Sequence, residues 1–158
     1  MIRPMSPDEY ARFYKLSRDQ QAADLIKSEG ISREQATLRA DEELAQLLPE
    51  GIDTPGHSLM CIAADDGSQA GYIWYMYEEC DGVQQVFLCD LMIFPAERRK
   101  GYARAAIACM ERDARQHGCT ESVLFVDSAN LPAQSLYAAQ GYATLRAFEG
   151  GIYMKKAL

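Results

Sequence analysis

The densest chemistry in the chain lies in Arg98-Arg99-Lys100-Gly101-Tyr102-Ala103. An apolar run, Leu91-Met92-Ile93-Phe94-Pro95, ends just before it, and a helical pattern begins at Gly101. The first turn of a helix presents backbone N–H groups with no internal partner, together with the positive end of the helix dipole. Such groups cradle phosphate oxygens. Gly101 has no side chain to keep a ligand off the backbone, Ala103 is nearly as small, and Arg98, Arg99 and Lys100 add positive charge. The alternative is a basic loop ahead of an ordinary surface helix, and the hexapeptide by itself leaves both readings open.

Other reactive side chains are sparse. Asp90 interrupts the otherwise apolar stretch Val83–Phe94, where an unpaired carboxylate is unfavourable by on the order of several kcal/mol. It therefore points to solvent, pairs with an arginine, or serves as a base. Glu78 and Glu79 close the preceding strand and are alternative carboxylates that would act through water. His57 stands at a strand start, where it either lines a site or caps a surface. His117 closes a helix, where a cation suits the dipole. The five cysteines are odd in number and form no CxxC pair, so zinc spacing is absent and no metal is expected. They read as buried reduced thiols, with Cys89 the one candidate for a reactive thiol.

Positioning these groups takes a particular succession of elements. Ser6-Pro7-Asp8-Glu9 has the composition of a capping box with proline at the first helical position, opening a helix to about Lys27. Tyr10, Phe13, Tyr14, Ala22, Ala23 and Ile26 mark its broad apolar side, and Gly30 ends it. A second helix starts at Ser32 with Gln35 as its partner and runs to about Leu48, before Pro49 and Gly51. Ser58–Ala64 and Ala70–Tyr77 read as strands joined by the turn Asp65-Asp66-Gly67-Ser68. Val83–Phe94 reads as a strand covered on both faces. Gly101–His117 is a helix with Ala103, Ile107, Met110 and Ala114 at helical spacing. A strand at Ser122–Val126, a helix at Asn130–Gln140 and short strands at Tyr142–Leu145 and Ile152–Lys155 complete the chain. This order predicts an α/β fold, a central mixed sheet of about six to seven strands with helices on both faces.

Bulk properties exclude several classes. At 158 residues, 48% hydrophobic and 25% charged, the chain has the composition and size of one globular domain. No apolar run reaches a membrane span, and the N-terminus lacks a signal-like apolar region, which predicts a cytoplasmic protein. A net charge of −7 argues against a nucleic-acid partner and is compatible with a cationic substrate.

The loop motif resembles the acyl-CoA-binding signature of the GNAT superfamily: arginine or glutamine, two residues, glycine, any residue, then glycine or alanine. Here these are Arg98, Gly101 and Ala103. Downstream, Asn130-Leu131-Pro132-Ala133-Gln134-Ser135-Leu136-Tyr137-Ala138-Ala139-Gln140-Gly141-Tyr142 is similar to that family's second pattern, with Asn130, Ala133, Tyr137, Gly141 and Tyr142 in register. The resemblance covers about residues 58–158 and reaches 1–57 only through the two N-terminal helices. The segment Leu47–His57 is similar to a subgroup of small bacterial GNAT proteins and points to no particular acceptor.

This resemblance implies one GNAT domain over residues 1–158, with 1–57 shaping the acceptor site and 58–158 binding acetyl-CoA. It implies direct N-acetylation of a small-molecule or peptide amine, with a homodimer common in the superfamily. Met92 and Ile93 would pair with the pantetheine amides, at a bulge that splays the strand in this family but leaves no trace in the sequence. Arg98, Arg99, Lys100, Gly101, Tyr102 and Ala103 would hold the pyrophosphate, and Asn130 and Ala133 would flank the arm. Asn130 also suits the N-cap of its helix. Tyr137 corresponds to the general acid, with a core tyrosine as the lesser alternative, and Asp90 corresponds to the general base. A non-catalytic acyl-CoA-binding regulator is the alternative from another class, and acyl transfer through Cys89 a third.

Overall fold

The computed structural model describes residues 1–158, which form two compact units, Met5–Pro55 and Met1–Pro4 with Gly56–Leu158. The Met5–Pro55 unit is an antiparallel pair of helices. Helix α1 spans Pro7–Glu29, and both bonds of its capping box form, Glu9 N–H to Ser6 Oγ at 3.2 Å and Ser6 N–H to Glu9 Oε1 at 2.9 Å. It stops at Gly30, whose φ of 66° takes the left-handed conformation that glycine adopts without strain. Helix α2 spans Arg33–Leu47 and is capped by Ser32. Ala22, Ala36 and Ala40 are buried between the helices with Leu25, Ile26 and Ile31 around them, so small side chains allow close approach. Ala23, expected on the apolar side of α1, is exposed instead, because the buried stripe is narrower than the pattern implied.

The larger unit contains a seven-stranded sheet in the order β1-β2-β3-β4-β5-β7-β6. Its strands are β1 (Ile2–Pro4), β2 (His57–Ala63), β3 (Gln69–Cys80), β4 (Val83–Ile93), β5 (Glu121–Asp127), β6 (Ala143–Phe148) and β7 (Gly151–Ala157). Helix α3 (Tyr102–Gln116) connects β4 to β5, the one parallel pair, and α4 (Leu131–Ala139) follows β5. The mixed α/β architecture is therefore as the sequence indicated. β1 is the addition: three residues give no readable period, and they are defined by their ladder with β2, Ile2 opposite Ile62.

One sheet face and two helices share a core. Ile73 and Tyr75 of β3, Val86 and Leu88 of β4, and Leu124 and Val126 of β5 pack with Ala106, Ile107, Met110 and Ala114 of α3 and with Tyr137 of α4. Glu111 of α3 is buried in this layer at 5% exposure, and both its oxygens take Lys156 Nζ of β7 at 2.9 Å. Tyr142, whose hydroxyl also meets Ser122 Oγ at 2.6 Å, donates to the same carboxylate at 3.4 Å. A buried carboxylate is tolerable only with such partners.

Two register features set β4 apart. Trp74 pairs with Asp90 but Tyr75 pairs with Leu88, so Cys89 is an extra residue on β4, a bulge. The ladder between β4 and β5 runs only from Gln85–Glu121 to Leu88–Leu124. Beyond Leu88 the strand keeps β3 and loses β5. Gly71 of β3 sits against this segment, and a Cβ there would lie 2.0 Å from the Met92 carbonyl oxygen. Replacing Gly71 by alanine is expected to push β3 and β4 apart and to destabilise the fold by about 1–3 kcal/mol, read as a lowered urea midpoint. An unchanged midpoint would show that the close approach is dispensable.

Candidate functional site

The loss of β5 leaves a slot in the sheet, and a cleft of about 600 Å³ opens beside it. Leu91, Met92 and Ile93 of β4 form one wall, and Arg98, Arg99, Gly101, Tyr102, Ala103 and Arg104 form the end at the start of α3. Pro132, Ala133, Leu136 and Tyr137 of α4 form the other wall. Nine residues singled out in the sequence, Met92, Ile93, Arg98, Arg99, Gly101, Tyr102, Ala103, Ala133 and Tyr137, are thus brought to one cavity. Lys100, Asn130 and Asp90 stand outside its wall.

The loop at the end of the cleft follows from local geometry. After β4 a 3-10 turn at Pro95–Glu97 is closed by Glu97 N–H to the Phe94 carbonyl at 2.8 Å. Arg98 Nε donates to the Ile93 carbonyl at 3.0 Å. Arg99 then takes φ 64°, uncommon for a side chain other than glycine, and Gly101 takes φ 85° with nothing within 4 Å of a Cβ placed on it. The first helical bond of α3 runs from Ala105 N–H to the Gly101 carbonyl at 3.1 Å. The N–H groups of Tyr102, Ala103 and Arg104 therefore precede the helical ladder. α1, α2 and α4 are capped by Ser6, Ser32 and Asn130, whereas α3 has no capping side chain and no acidic residue in its first turn. Its positive end faces the cleft with small residues around it, which suits a phosphate-bearing ligand.

Lys100 is not part of the wall, and its Nζ lies 3.0 Å from Oε2 of Glu97, which is. The Tyr102 hydroxyl accepts the Asp65 N–H at 3.3 Å and ties α3 to the β2–β3 turn. Asn130 is the N-cap of α4, its Oδ1 accepting Ala133 N–H at 3.2 Å. Gln134 fixes α4 to the end of β5 through the carbonyls of Asp127 and Ser128, both at 3.0 Å.

Tyr137 lies at the base of the cleft, 9% exposed, with its ring edge against Tyr142 at 5.9 Å. Burial, with Asp90 as a secondary influence, pushes its phenol up to about 12. Asp90 pairs across the ladder with Trp74 and accepts the Tyr72 hydroxyl at 3.2 Å. Ile73 and Tyr75, which flank Trp74 in sequence, belong to the core on the α3 side. Strand alternation thus puts Tyr72, Trp74 and Asp90 on the opposite face. The slot consequently has the cleft on one side and Asp90 on the other. Tyr72, which gave no sequence signal, is the residue that orients this carboxylate.

The remaining candidates are held elsewhere. Glu78 and Glu79 accept the side-chain amides of Gln85 and Gln84 near the β3–β4 turn. Gln85 precedes Asp90 by five residues on β4, about 16 Å of strand. Trp74 Nε1 donates to His57 Nδ1 at 2.9 Å. Indole nitrogen only donates, so His57 carries its proton on Nε2 and has no free basic nitrogen, while burial lowers its affinity for a second proton. The Cys89 thiol is pushed up to about 12 by burial and by Asp90 and Glu78, which opposes a nucleophilic thiolate at neutral pH. His117 Nδ1 lies 3.0 Å from the Asp113 carbonyl, and its ring stacks on Tyr77. No helix is long and apolar enough to cross a membrane.

The raised phenol has a direct check. Carbon-13 NMR of ring-labelled protein should show the Tyr137 resonance, assigned through Tyr137→Phe, unchanged up to about pH 11. Titration at or below pH 10 would mean that the ring is solvated.

Comparison with known proteins places this arrangement. The model of the acetyltransferase (GNAT) family matches residues 18–142. The uncharacterised N-acetyltransferase YycN of Bacillus subtilis (strain 168) is 28% identical over 142 residues, covering 90% of this chain and 91% of the relative. Its crystal structure superposes with a TM-score of 0.84 at 27% identity, over 94% of each chain. The aminoglycoside N(6')-acetyltransferase type 1 of Serratia marcescens is 31% identical over 99 residues, 60% of this chain and 68% of that one. At 18% identity, PaiA N-acetyltransferase from Thermoplasma acidophilum, solved in complex with coenzyme A, shares the fold with a TM-score of 0.75, covering 100% of this chain and 98% of that one.

Proposed function

The chain belongs to the acetyltransferase (GNAT) family, and on that premise we propose that it transfers an acetyl group from acetyl-CoA to a primary amine by direct attack. The observation that carries this reading is the slot: β4 gives up β5 after Leu88, and the cleft alongside ends at the uncapped start of α3. An extended chain with amides can add to the free edge at Leu91 and Ile93, as a strand would, whereas Met92, expected there with Ile93, directs its carbonyl to Gly71 of β3 and offers only its side chain to the cleft. Its phosphates would meet the N–H groups of Tyr102, Ala103 and Arg104 and the charge of Arg99. The apolar walls, Leu91, Met92, Leu136 and Pro132, suit the uncharged arm between.

Acetyl-CoA supplies an activated acyl carbon and a thiolate leaving group. The chain's residues supply proton control on two sides. An alkyl ammonium, near pKa 10, must lose a proton before it can attack, and Asp90 is the base on the face where an amine would approach. Tyr72 holds that carboxylate in place. On the cleft side Tyr137 keeps its proton throughout the neutral range. A thiol sits roughly at pKa 8.5, so outright transfer from a phenol near 12 is uphill. Tyr137 therefore acts as a hydrogen-bond donor that stabilises the developing thiolate while keeping its own proton, and the departing thiolate takes its proton from solvent. Tyr137 and Asp90 flanking one slot favour turnover over a purely regulatory binding role. The acceptor side carries an acidic group, which agrees with a cationic amine, and the Serratia marcescens relative is named for an aminoglycoside.

Gly101→Glu puts a carboxylate at the helix end and is expected to abolish acetyl-CoA binding in calorimetry, while unchanged affinity would remove the phosphate-site assignment. Tyr137→Phe should lower turnover by roughly tenfold to a hundredfold with cofactor affinity nearly intact. Full activity in that variant would place the donor elsewhere.

A further inference from the structure

Within the loop, one side chain touches the strand that the cofactor would join. Phe94 N–H donates to the Ala70 carbonyl at 2.8 Å, so Phe94 faces β3. Successive residues of a strand direct their backbone groups to alternate edges. The N–H and carbonyl of Ile93 therefore face the edge that β5 has left. A half-buried carbonyl there needs a donor, and Arg98 Nε supplies it at 3.0 Å. The bond closes a short ring, Ile93 through the Pro95–Glu97 turn to Arg98, already tightened by Glu97 N–H on the Phe94 carbonyl. The next residue, Arg99, holds φ 64°, a conformation uncommon for a residue other than glycine that the surroundings must enforce.

We propose that Arg98 is a positioning residue for the donor, clamping the phosphate loop to the free edge of β4 through its Nε–H rather than through its charge. The inference rests on the cofactor reading above. The clamp fixes the distance between the α3 amides, which would take the phosphates, and the Ile93 edge, which would take the arm. The carbonyl has two lone pairs, so the bond from Arg98 leaves room for a ligand amide. Covalent geometry defines the substitution that separates hydrogen bond from charge. Glutamine carries an N–H donor, Nε2, at the same position along the side chain as arginine Nε. Lysine has a methylene there and its ammonium one bond further on, and methionine has only a methyl group.

Binding of acetyl-CoA by Arg98→Gln, Arg98→Lys and Arg98→Met, measured by calorimetry, tests the clamp. Arg98→Gln should stay within about threefold of the parent, and the lysine and methionine variants should each weaken by about tenfold. That ratio corresponds to about 1.4 kcal/mol, the size of one hydrogen bond. In the free protein, amide exchange of Arg99 to Ala103 should accelerate in the methionine and lysine variants and not in the glutamine one. A lysine variant that binds like the parent, with the glutamine variant as weak as methionine, would show that charge is what matters and overturn the clamp. Parent-like binding and exchange in all three would overturn it equally. Absence of acetyl-CoA binding by the unaltered chain would instead overturn the cofactor reading, and the clamp with it.

Discussion

The site depends on one extra residue in a ladder. Cys89 has no partner of its own between Trp74–Asp90 and Tyr75–Leu88, and past that point β4 follows β3 alone. Interior strands normally satisfy both edges, so a strand with one free edge inside a sheet is an unfinished structure. Leu91 and Ile93 carry the unfinished groups. The protein completes one of them with Arg98 and leaves a slot for the rest. The extra residue also shifts the alternation of β4 by one, so that Asp90 falls on the face away from α3 while Leu88, Leu91 and Ile93 remain with the core. Donor side and acceptor side are thus separated by the thickness of one strand.

Everything around the slot acts to keep it open. Gly71 lets β3 approach the Met92 carbonyl more closely than any other residue would, so β4 is held from its paired side. Gln134 fixes α4 against the end of β5, so the opposite wall cannot drift in. Lys156, Glu111 and Tyr142 tie β7, α3 and the segment after α4 into one layer beneath Tyr137. Each is a local contact, but together they hold two walls and a floor at fixed separation, which catalysis by positioning requires.

How much of this was legible in the sequence follows from the range of the interactions involved. The phosphate loop was legible because its chemistry is local: a small residue, a helix start and basic neighbours all lie within Arg98–Ala103. Cap residues such as Ser6 and Asn130 were legible for the same reason. The bulge was not, since an inserted residue alters a register and leaves composition unchanged. Tyr72 was hidden because its meaning lies in a bond to a carboxylate on the next strand. His57 shows the same limit: its place at a strand start left a site-lining and a capping role open, and only the indole of Trp74 decides which nitrogen holds the proton. Lys100 was read with the basic run, yet its ammonium belongs to Glu97.

The charge balance illustrates how local geometry overrides bulk composition. A chain of net charge −7 would repel a polyphosphate if it acted as a uniform sphere. Exposed charges, however, are screened beyond about 8 Å at physiological ionic strength. The cleft itself is lined by Arg98, Arg99 and the uncapped start of α3, and its one lining carboxylate, Glu97, is paired with Lys100 at 3.0 Å. The Lys100–Glu97 pair thereby offsets the one carboxylate in the cleft wall, which gives Lys100 an influence on the cleft without its being part of the wall.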